Sequence, residues 1–109
     1  MIGKPILPRE QANSDVDEAL EHYLKEAGAR AALEFIDALE TAYAHISRHP
    51  ASGSTRYSVE LNLPGLRCWP LKRFPHIVFY VEAGDHIDVW RVLHGTRDIP
   101  AWMREPPGP

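Results

Sequence analysis

The sequence predicts an α+β fold in which an antiparallel helix hairpin packs on a small antiparallel sheet. Two neighbouring stretches in the first half of the 109-residue chain repeat apolar residues at helical spacing. The connection between them is so short that the two helices must fold back on each other. The second half contains short runs rich in branched and aromatic residues, as strands do. Helices grouped ahead of an antiparallel sheet are typical of the α+β class.

A short strand and an amphipathic helix are predicted first. Ile6 and Leu7 stand next to prolines and predict an edge strand, where proline is tolerated. The triplet Asn13-Ser14-Asp15 offers N-cap side chains, and its serine and Asp17 have the spacing of a capping box. Gly28 ends the helix, because glycine adopts left-handed backbone conformations without steric cost. The apolar stripe of this helix consists of Val16, Ala19, Leu20, Tyr23, Leu24 and Ala27.

The second helix follows at once. We expect it to end near His49, because Pro50 disfavours helical geometry in the residue before it. Residues 50–65 contain prolines, glycines and serines and form a connection. The helical repeat consists of Ala32, Phe35, Ile36, Leu39, Ala42, Tyr43 and Ile46.

Three strands are predicted to form a meander. The first covers 66–72 and contains Pro70, which indicates an edge or a bulge. The second covers 77–82 and the third 87–93. Gly84-Asp85 between them is a two-residue hairpin signal. The order is therefore one short strand, two helices and three strands.

Both faces of the predicted hairpin are largely apolar. With a turn at Gly84-Asp85, one face carries Ile77, Phe79, Val81, Asp88, Trp90 and Val92, and the other carries Val78, Tyr80, Glu82, Ile87, Val89, Arg91 and Leu93. Two helices can cover one of these faces but not both. The other face is covered either by a partner protein or by the chain itself, through residues 50–65 or the C-terminal tail, and the sequence leaves both alternatives open.

Length and charge restrict the class of protein. The chain fits a single domain, and we expect residues 1–10 and 104–109 to be extended or disordered ends. Its net charge of −3 divides into −4 for residues 1–50 and +1 for residues 51–109. A dedicated nucleic-acid-binding protein would usually be strongly basic. The N-terminus lacks the features of a signal peptide and no apolar run approaches the length of a membrane span, so we expect a cytoplasmic protein.

The stretch from Pro70 to Met103 resembles the C-terminal half of ParE toxins, and its most specific part is Arg91-Val92-Leu93-His94-Gly95-Thr96-Arg97-Asp98-Ile99. The similarity extends less specifically back to about Asp15. The resemblance implies the β-α-α-β-β-β fold of the RelE/ParE superfamily and a toxin of a type II toxin–antitoxin system. It also implies a ParD-like antitoxin, in a heterotetramer or larger complex, that alone contacts DNA. The implied cellular target is DNA gyrase.

On this resemblance we expect two sets of contact residues and neither cofactor nor catalytic group. The predicted target contacts are Arg91, His94, Arg97, Asp98 and Trp102. The predicted antitoxin contacts are Leu20, Tyr23, Leu24, Arg73, Val78, Tyr80 and Val89. No metal site is expected: His45 and His49 have chelating spacing, but a third ligand is missing.

Two alternatives remain. A RelE-like ribonuclease of the same superfamily would need an acid, a base and cations around the scissile phosphate. Its candidates here are Arg67, Lys72, Arg73, Tyr80, Arg91, His94 and Arg97. The acidic net charge argues against a ribosome-binding nuclease. The second alternative is a protein-binding module of the same fold that is not toxic.

Overall fold

Two long helices precede a four-stranded sheet, which confirms the predicted α+β class. The computed structural model describes residues 3–96 and 99–104, apart from the side chains of Trp102 and Arg104. The elements are β1 (Ile6–Pro8), α1 (Glu10–Ala27), α2 (Ala29–Arg48), a 3-10 turn (Pro50–Ser52), α3 (Arg56–Glu60), β2 (Leu66–Pro70), β3 (His76–Glu82), β4 (Ile87–His94) and α4 (Ile99–Arg104). The expectation for 105–109 lies outside the described residues, and Arg104 belongs to α4.

The sheet is mixed rather than wholly antiparallel. Its strand order is β1-β4-β3-β2. The strands β2, β3 and β4 form the predicted antiparallel meander, whereas β1 pairs parallel with β4. Parallel strands need a long connection between them, and here both long helices and the strands β2 and β3 separate β1 from β4 along the chain.

The first helix begins earlier than predicted. Its N-cap is Arg9, which makes no side-chain capping bond, and helical residues start at Glu10. The Arg9 amide donates to the carbonyl of Val89, and the Asn13 amide donates to the carbonyl of Arg9. The chain therefore passes from strand to helix within one residue, which places Asp15 inside the helix and turns it toward the core. The predicted end at Gly28 is confirmed by its φ of 93°.

The last two strands meet at the predicted turn but change register further along. Ala83 donates to the carbonyl of His86 across Gly84-Asp85, and Glu82 pairs with Ile87 as expected. A bulge between Phe79 and Tyr80 of β3 then leaves Trp90 as an extra residue of β4. Beyond it Val78 pairs with Val92, and Phe79 pairs with Arg91. The predicted faces are therefore wrong beyond the bulge, because one extra residue exchanges the two sides of a strand.

The helices cover one face of the sheet, as argued from the sequence. The core between helices and sheet consists of Ala12, Ala19, Phe35, Leu39, Ala42, Ile46, Leu71, Val78, Tyr80, Ile87, Val89 and Val92. The second face is covered by the chain itself, through α3, the connection that follows it, and α4. This second core consists of Leu61, Leu66, Cys68, Phe79, Leu93 and Ile99, with Tyr57 and Met103 packed against it. Of the two alternatives for this face, the structure shows coverage by residues 50–65 and the tail.

Candidate functional site

An open sheet edge lies beside the first helix. The three residues of β1 pair only with Ile87, Asp88 and Val89 of β4. The strand β4 continues to His94, so among residues 3–96 and 99–104 no strand lies beside its second half on the side away from β3. The helix α1, which leaves β1 at once, runs along this side instead.

A buried carboxylate takes the place of the missing strand. Asp15 of α1 accepts hydrogen bonds from Arg91 Nε and Nη2, both at 2.8 Å, and from the backbone amide of Val92 at 3.0 Å. The side chains of Asp15 and Arg91 are only 7% and 12% exposed. Charge-assisted bidentate geometry of this kind is strong and directional. The ion pair thus fixes α1 to the open half of β4.

Beyond this ion pair a cleft of about 520 Å³ separates α1 from the end of β4. It is lined by Asp15, Glu18, Ala19, His22, Tyr23, His76, Val92, Leu93, His94 and Thr96. His94 is half-buried, and its Nδ1 accepts a hydrogen bond from the Thr96 amide at 3.1 Å. That bond assigns Nδ1 as the unprotonated nitrogen of the neutral ring. The cleft therefore combines an exposed carboxylate, imidazoles and an open strand edge.

An aromatic cluster forms the floor of the cleft. His76 is 8% exposed, and its ring lies 5.0 Å from Phe35 and 5.2 Å from His94, centroid to centroid. Tyr23 packs edge-on against Phe74 at 5.2 Å. These contacts join α1, α2 and the β2–β3 turn, so the cleft has a rigid apolar base.

The predicted target contacts have different surroundings. Arg91 is held by Asp15 and is largely buried, so its guanidinium is not a surface group. His94 lines the cleft. Arg97 and Asp98 lie outside the described residues, as does the side chain of Trp102. The structure therefore assigns Arg91 a structural ion pair and leaves His94 as the described member of this set at the surface.

The predicted antitoxin contacts divide into two groups. Val78, Tyr80 and Val89 are each 0% exposed, because they lie in the core under the helices. A surface role for these three residues is incompatible with their position. We predicted them as contacts because the helix-covered face of the sheet could not be told from the other by sequence.

The remaining members of that set lie together. Leu20, Tyr23 and Leu24 follow one side of α1, and Leu24 is 53% exposed. Arg73 is exposed in the β2–β3 turn, next to Phe74, whose ring contacts Tyr23. These four residues therefore belong to one end of the molecule, where α1 meets the β2–β3 turn.

Three of the nuclease candidates in the described residues are held by partners within the chain. Arg67 donates to the carbonyls of Ala51 and Gly53 at 3.1 and 2.9 Å. The hydroxyl of Tyr80, a buried side chain, donates to the carbonyl of Pro50 at 2.7 Å. Arg67 and Tyr80 are cross-strand partners and both bond to the segment 50–53, whereas Arg91 is bound to Asp15 of α1.

Sequence reasoning missed three residues that shape the site. Asp15 was interpreted as an N-cap side chain. It stands four residues before Ala19, in line with the apolar stripe of the helix, and this spacing was the one signal that Asp15 is buried. Trp90, the extra residue of the bulge, donates from Nε1 to Asp88 at 3.0 Å, and the Arg9 guanidinium lies 4.5 Å from its ring. His76 was excluded from the strand that it begins.

The described residues contain neither a cluster of metal ligands nor a membrane-spanning helix. Among them, no group of three or more His, Cys, Asp or Glu side chains is arranged to hold a metal ion. Of His45 and His49, the pair with chelating spacing, His45 has other contacts. Its ring stacks on Trp69 at 4.1 Å and forms a hydrogen bond with Ser52 at 3.0 Å. The described helices include none with the length and hydropathy required to cross a bilayer.

Fold and site together describe a small α+β domain with a covered sheet and an open edge along the second half of β4. The sequence model of the family described as "ParE toxin of type II toxin-antitoxin system, parDE" matches residues 6–99. Because this match covers most of the chain, the protein belongs to the ParE toxin family.

A solved structure agrees with this assignment at the level of the fold. The structure titled "Chromosomal ParDE TA system from P. aeruginosa" matches with a TM-score of 0.70 and 19% identity, over 84% of this chain and 95% of that one. At this identity the likeness shows a shared fold. No curated protein sequence matches the chain.

Proposed function

We propose that the chain is the toxin of a toxin–antitoxin pair, that it inhibits DNA gyrase, and that a ParD-like antitoxin neutralises it by direct binding. The observation that carries the proposal is the family match over 6–99. Partners within the chain hold Arg67, Tyr80 and Arg91, three of the nuclease candidates, and this supports a non-enzymatic mode of action. Inhibition by binding needs only a surface complementary to the target, which a small rigid domain supplies.

The target surface in this proposal is the segment that leaves β4, from His94 through Arg97 and Asp98 to Trp102. His94 lines the cleft and is accessible. Tryptophan and arginine are enriched among residues that dominate binding energies. Arg91 contributes indirectly, because its ion pair with Asp15 holds the strand from which this segment departs.

The experiment is a gyrase supercoiling assay with the purified full-length chain. We expect loss of supercoiling at stoichiometric toxin and its recovery when a ParD-like protein encoded beside the toxin gene is added. His94→Ala, Arg97→Ala and Trp102→Ala should each raise the toxin concentration required. His49→Ala is the matched control, because His49 is an exposed histidine at the end of α2. Unchanged supercoiling at large excess of folded toxin would refute gyrase inhibition, and ribosome-dependent cleavage of messenger RNA by the toxin should then be measured.

The antitoxin surface in this proposal is the end of the molecule formed by Leu20, Tyr23, Leu24 and Arg73. Leu24 is the most informative residue, because a leucine more than half exposed on a helix offers apolar area to a partner. Leu24→Asp should weaken antitoxin binding by at least tenfold in isothermal titration calorimetry. Val59→Asp is the matched control, since Val59 is 83% exposed on α3, over the other face of the sheet. Equal losses for both variants would contradict this placement.

A further inference from the structure

We propose that the open edge of β4 in the cleft receives an extended strand of the antitoxin, bonded to the main chain of His94 and carrying a lysine or arginine to Glu18. This inference rests on the proposed antitoxin binding and adds the mode of recognition. Addition of a strand to an exposed sheet edge is a general mode of peptide recognition, in which main-chain hydrogen bonds supply affinity.

The direction of the strand's amides follows from its observed hydrogen bonds. Ile87 donates to the carbonyl of Pro5 at 2.8 Å, and the carbonyl of Val89 accepts from Arg9 at 2.9 Å, so both point toward β1. The bulge at Trp90 then shifts the alternation by one residue. Beyond it the amide of Val92 points outward, as its bond to Asp15 shows.

The same alternation applies to the end of the strand. Gly95 donates to the carbonyl of Pro75 at 2.6 Å, so Gly95 bonds toward the β3 side. His94 lies two residues after Val92 and directly before Gly95. It pairs with His76, just as Val92 pairs with Val78. Its amide and carbonyl therefore point into the cleft, together with the carbonyl of Val92.

Asp15 bonds to only one of the outward-pointing backbone groups of β4. Its carboxylate accepts from the Val92 amide, but an ionised carboxylate has no proton to donate to the carbonyl of Val92. Within residues 3–96 and 99–104, no backbone hydrogen bond to the amide or carbonyl of His94 is observed outside the sheet ladder. An incoming strand would bond to these outward groups without displacing the ion pair.

The negative charge of α1 beside the cleft favours a partner segment with a basic residue. Glu18 stands exposed at the mouth of the cleft, and the outer side of α1 also carries Asp17, Glu21 and Glu26 against Lys25. Lys25 lies 3.3 Å from Glu21 and is thus engaged along the helix. An extended segment with a lysine or arginine facing Glu18 complements this wall, whereas an acidic segment would be repelled.

This mode of binding also accounts for neutralisation. His94 belongs to the surface that we propose for the target, and the antitoxin strand would occupy the groove beside it. Target and antitoxin would then compete for the same strand end.

The experiment measures amide exchange by NMR and affinity by calorimetry, with the full-length chain and the ParD-like protein encoded beside it. In the saturated complex the His94 amide should exchange at least tenfold more slowly than in the free chain. Glu18→Lys should weaken binding at least tenfold, whereas Glu40→Lys, the same change at an exposed position of α2 that does not line the cleft, should alter it less than twofold.

The outcomes separate this inference from the proposed function. A tight complex with unchanged His94 exchange, or with equal effects of the two charge reversals, would overturn strand addition and leave antitoxin binding intact. No complex at all would refute the proposed antitoxin binding itself. Protection of His94 at high concentration of the chain alone would identify a second copy as the occupant and overturn the antitoxin assignment.

Discussion

Removal of the Asp15 carboxylate should be among the most damaging single changes in this fold. Asp15→Ala deletes three hydrogen bonds of 2.8 to 3.0 Å and leaves the Arg91 guanidinium, only 12% exposed, without its counter-charge. Breaking a buried ion pair by removing one partner costs about 3–5 kcal/mol. Small domains are stable by about 5–15 kcal/mol in total, so this variant should lose a large part of its stability.

The assay is urea denaturation followed by circular dichroism, with Asp17→Ala as the control. Asp17 is exposed on the same helix, and surface substitutions of this kind change stability by less than about 0.5 kcal/mol. Asp15→Asn should cost less than the alanine variant, because its side-chain oxygen still accepts one hydrogen bond.

A double-mutant cycle isolates the pair itself. Arg91→Met removes the buried cation, so the double variant with Asp15→Ala should cost less than the sum of the single changes by more than about 1 kcal/mol. A loss below about 1 kcal/mol for Asp15→Ala, or additive effects in the cycle, would refute the argument that this carboxylate replaces a strand.

Three further changes test other parts of the structure. Burial, followed by the charge of Asp15, raises the pKa of Tyr43 to about 12. Stability should therefore fall as pH rises from about 10 to 12, by of the order of 2 kcal/mol, and Tyr43→Phe should remove this part of the loss in alkaline denaturation curves. Gly53→Ala places a methyl group against the Tyr80 hydroxyl and 3.0 Å from a carbonyl oxygen, and should lower stability by about 1–3 kcal/mol, less in a Tyr80→Phe background. Burial alone would raise the pKa of Asp88, but hydrogen bonds from Arg9 and Trp90 outweigh it and the pKa is lowered. Asp88→Asn should thus cost less than about 1 kcal/mol at pH 7, and the difference from the unchanged chain in urea titrations should vanish as pH falls through the lowered value.

The sequence predicted the elements and their order because each depends on local patterns. Apolar residues at helical spacing, Gly28 after the first helix and Gly84-Asp85 between two strands act within a few residues. The family resemblance and the match over 6–99 agree on the fold.

What the sequence could not predict depends on contacts between distant segments. The bulge at Trp90 is stabilised by Asp88 and Arg9, the second of which lies 79 positions from the first in the chain. Without the bulge, the alternation of faces beyond it is reversed. The predicted antitoxin contacts on the sheet were wrong for another reason: Val78, Tyr80 and Val89 do share one face, but the sequence did not show that the helices cover it. The start of α1 was missed because it depends on the hydrogen bond from the Arg9 amide to the carbonyl of Val89. Arg9 makes no side-chain capping bond that the sequence could have indicated.

The candidate site follows from a mismatch in strand length rather than from a motif. A three-residue β1 beside an eight-residue β4 leaves about half of the longer strand open. The pairing ends with the bond from the Arg9 amide to the carbonyl of Val89, and the immediate turn into α1 brings Asp15 to the amide of Val92. Had β1 been about five residues longer, it would itself have run beside Val92 and His94, and neither the buried ion pair nor the cleft would be needed. The start of α1 at Glu10 thus determines where this edge becomes available, and the bulge at Trp90 determines which amides it presents.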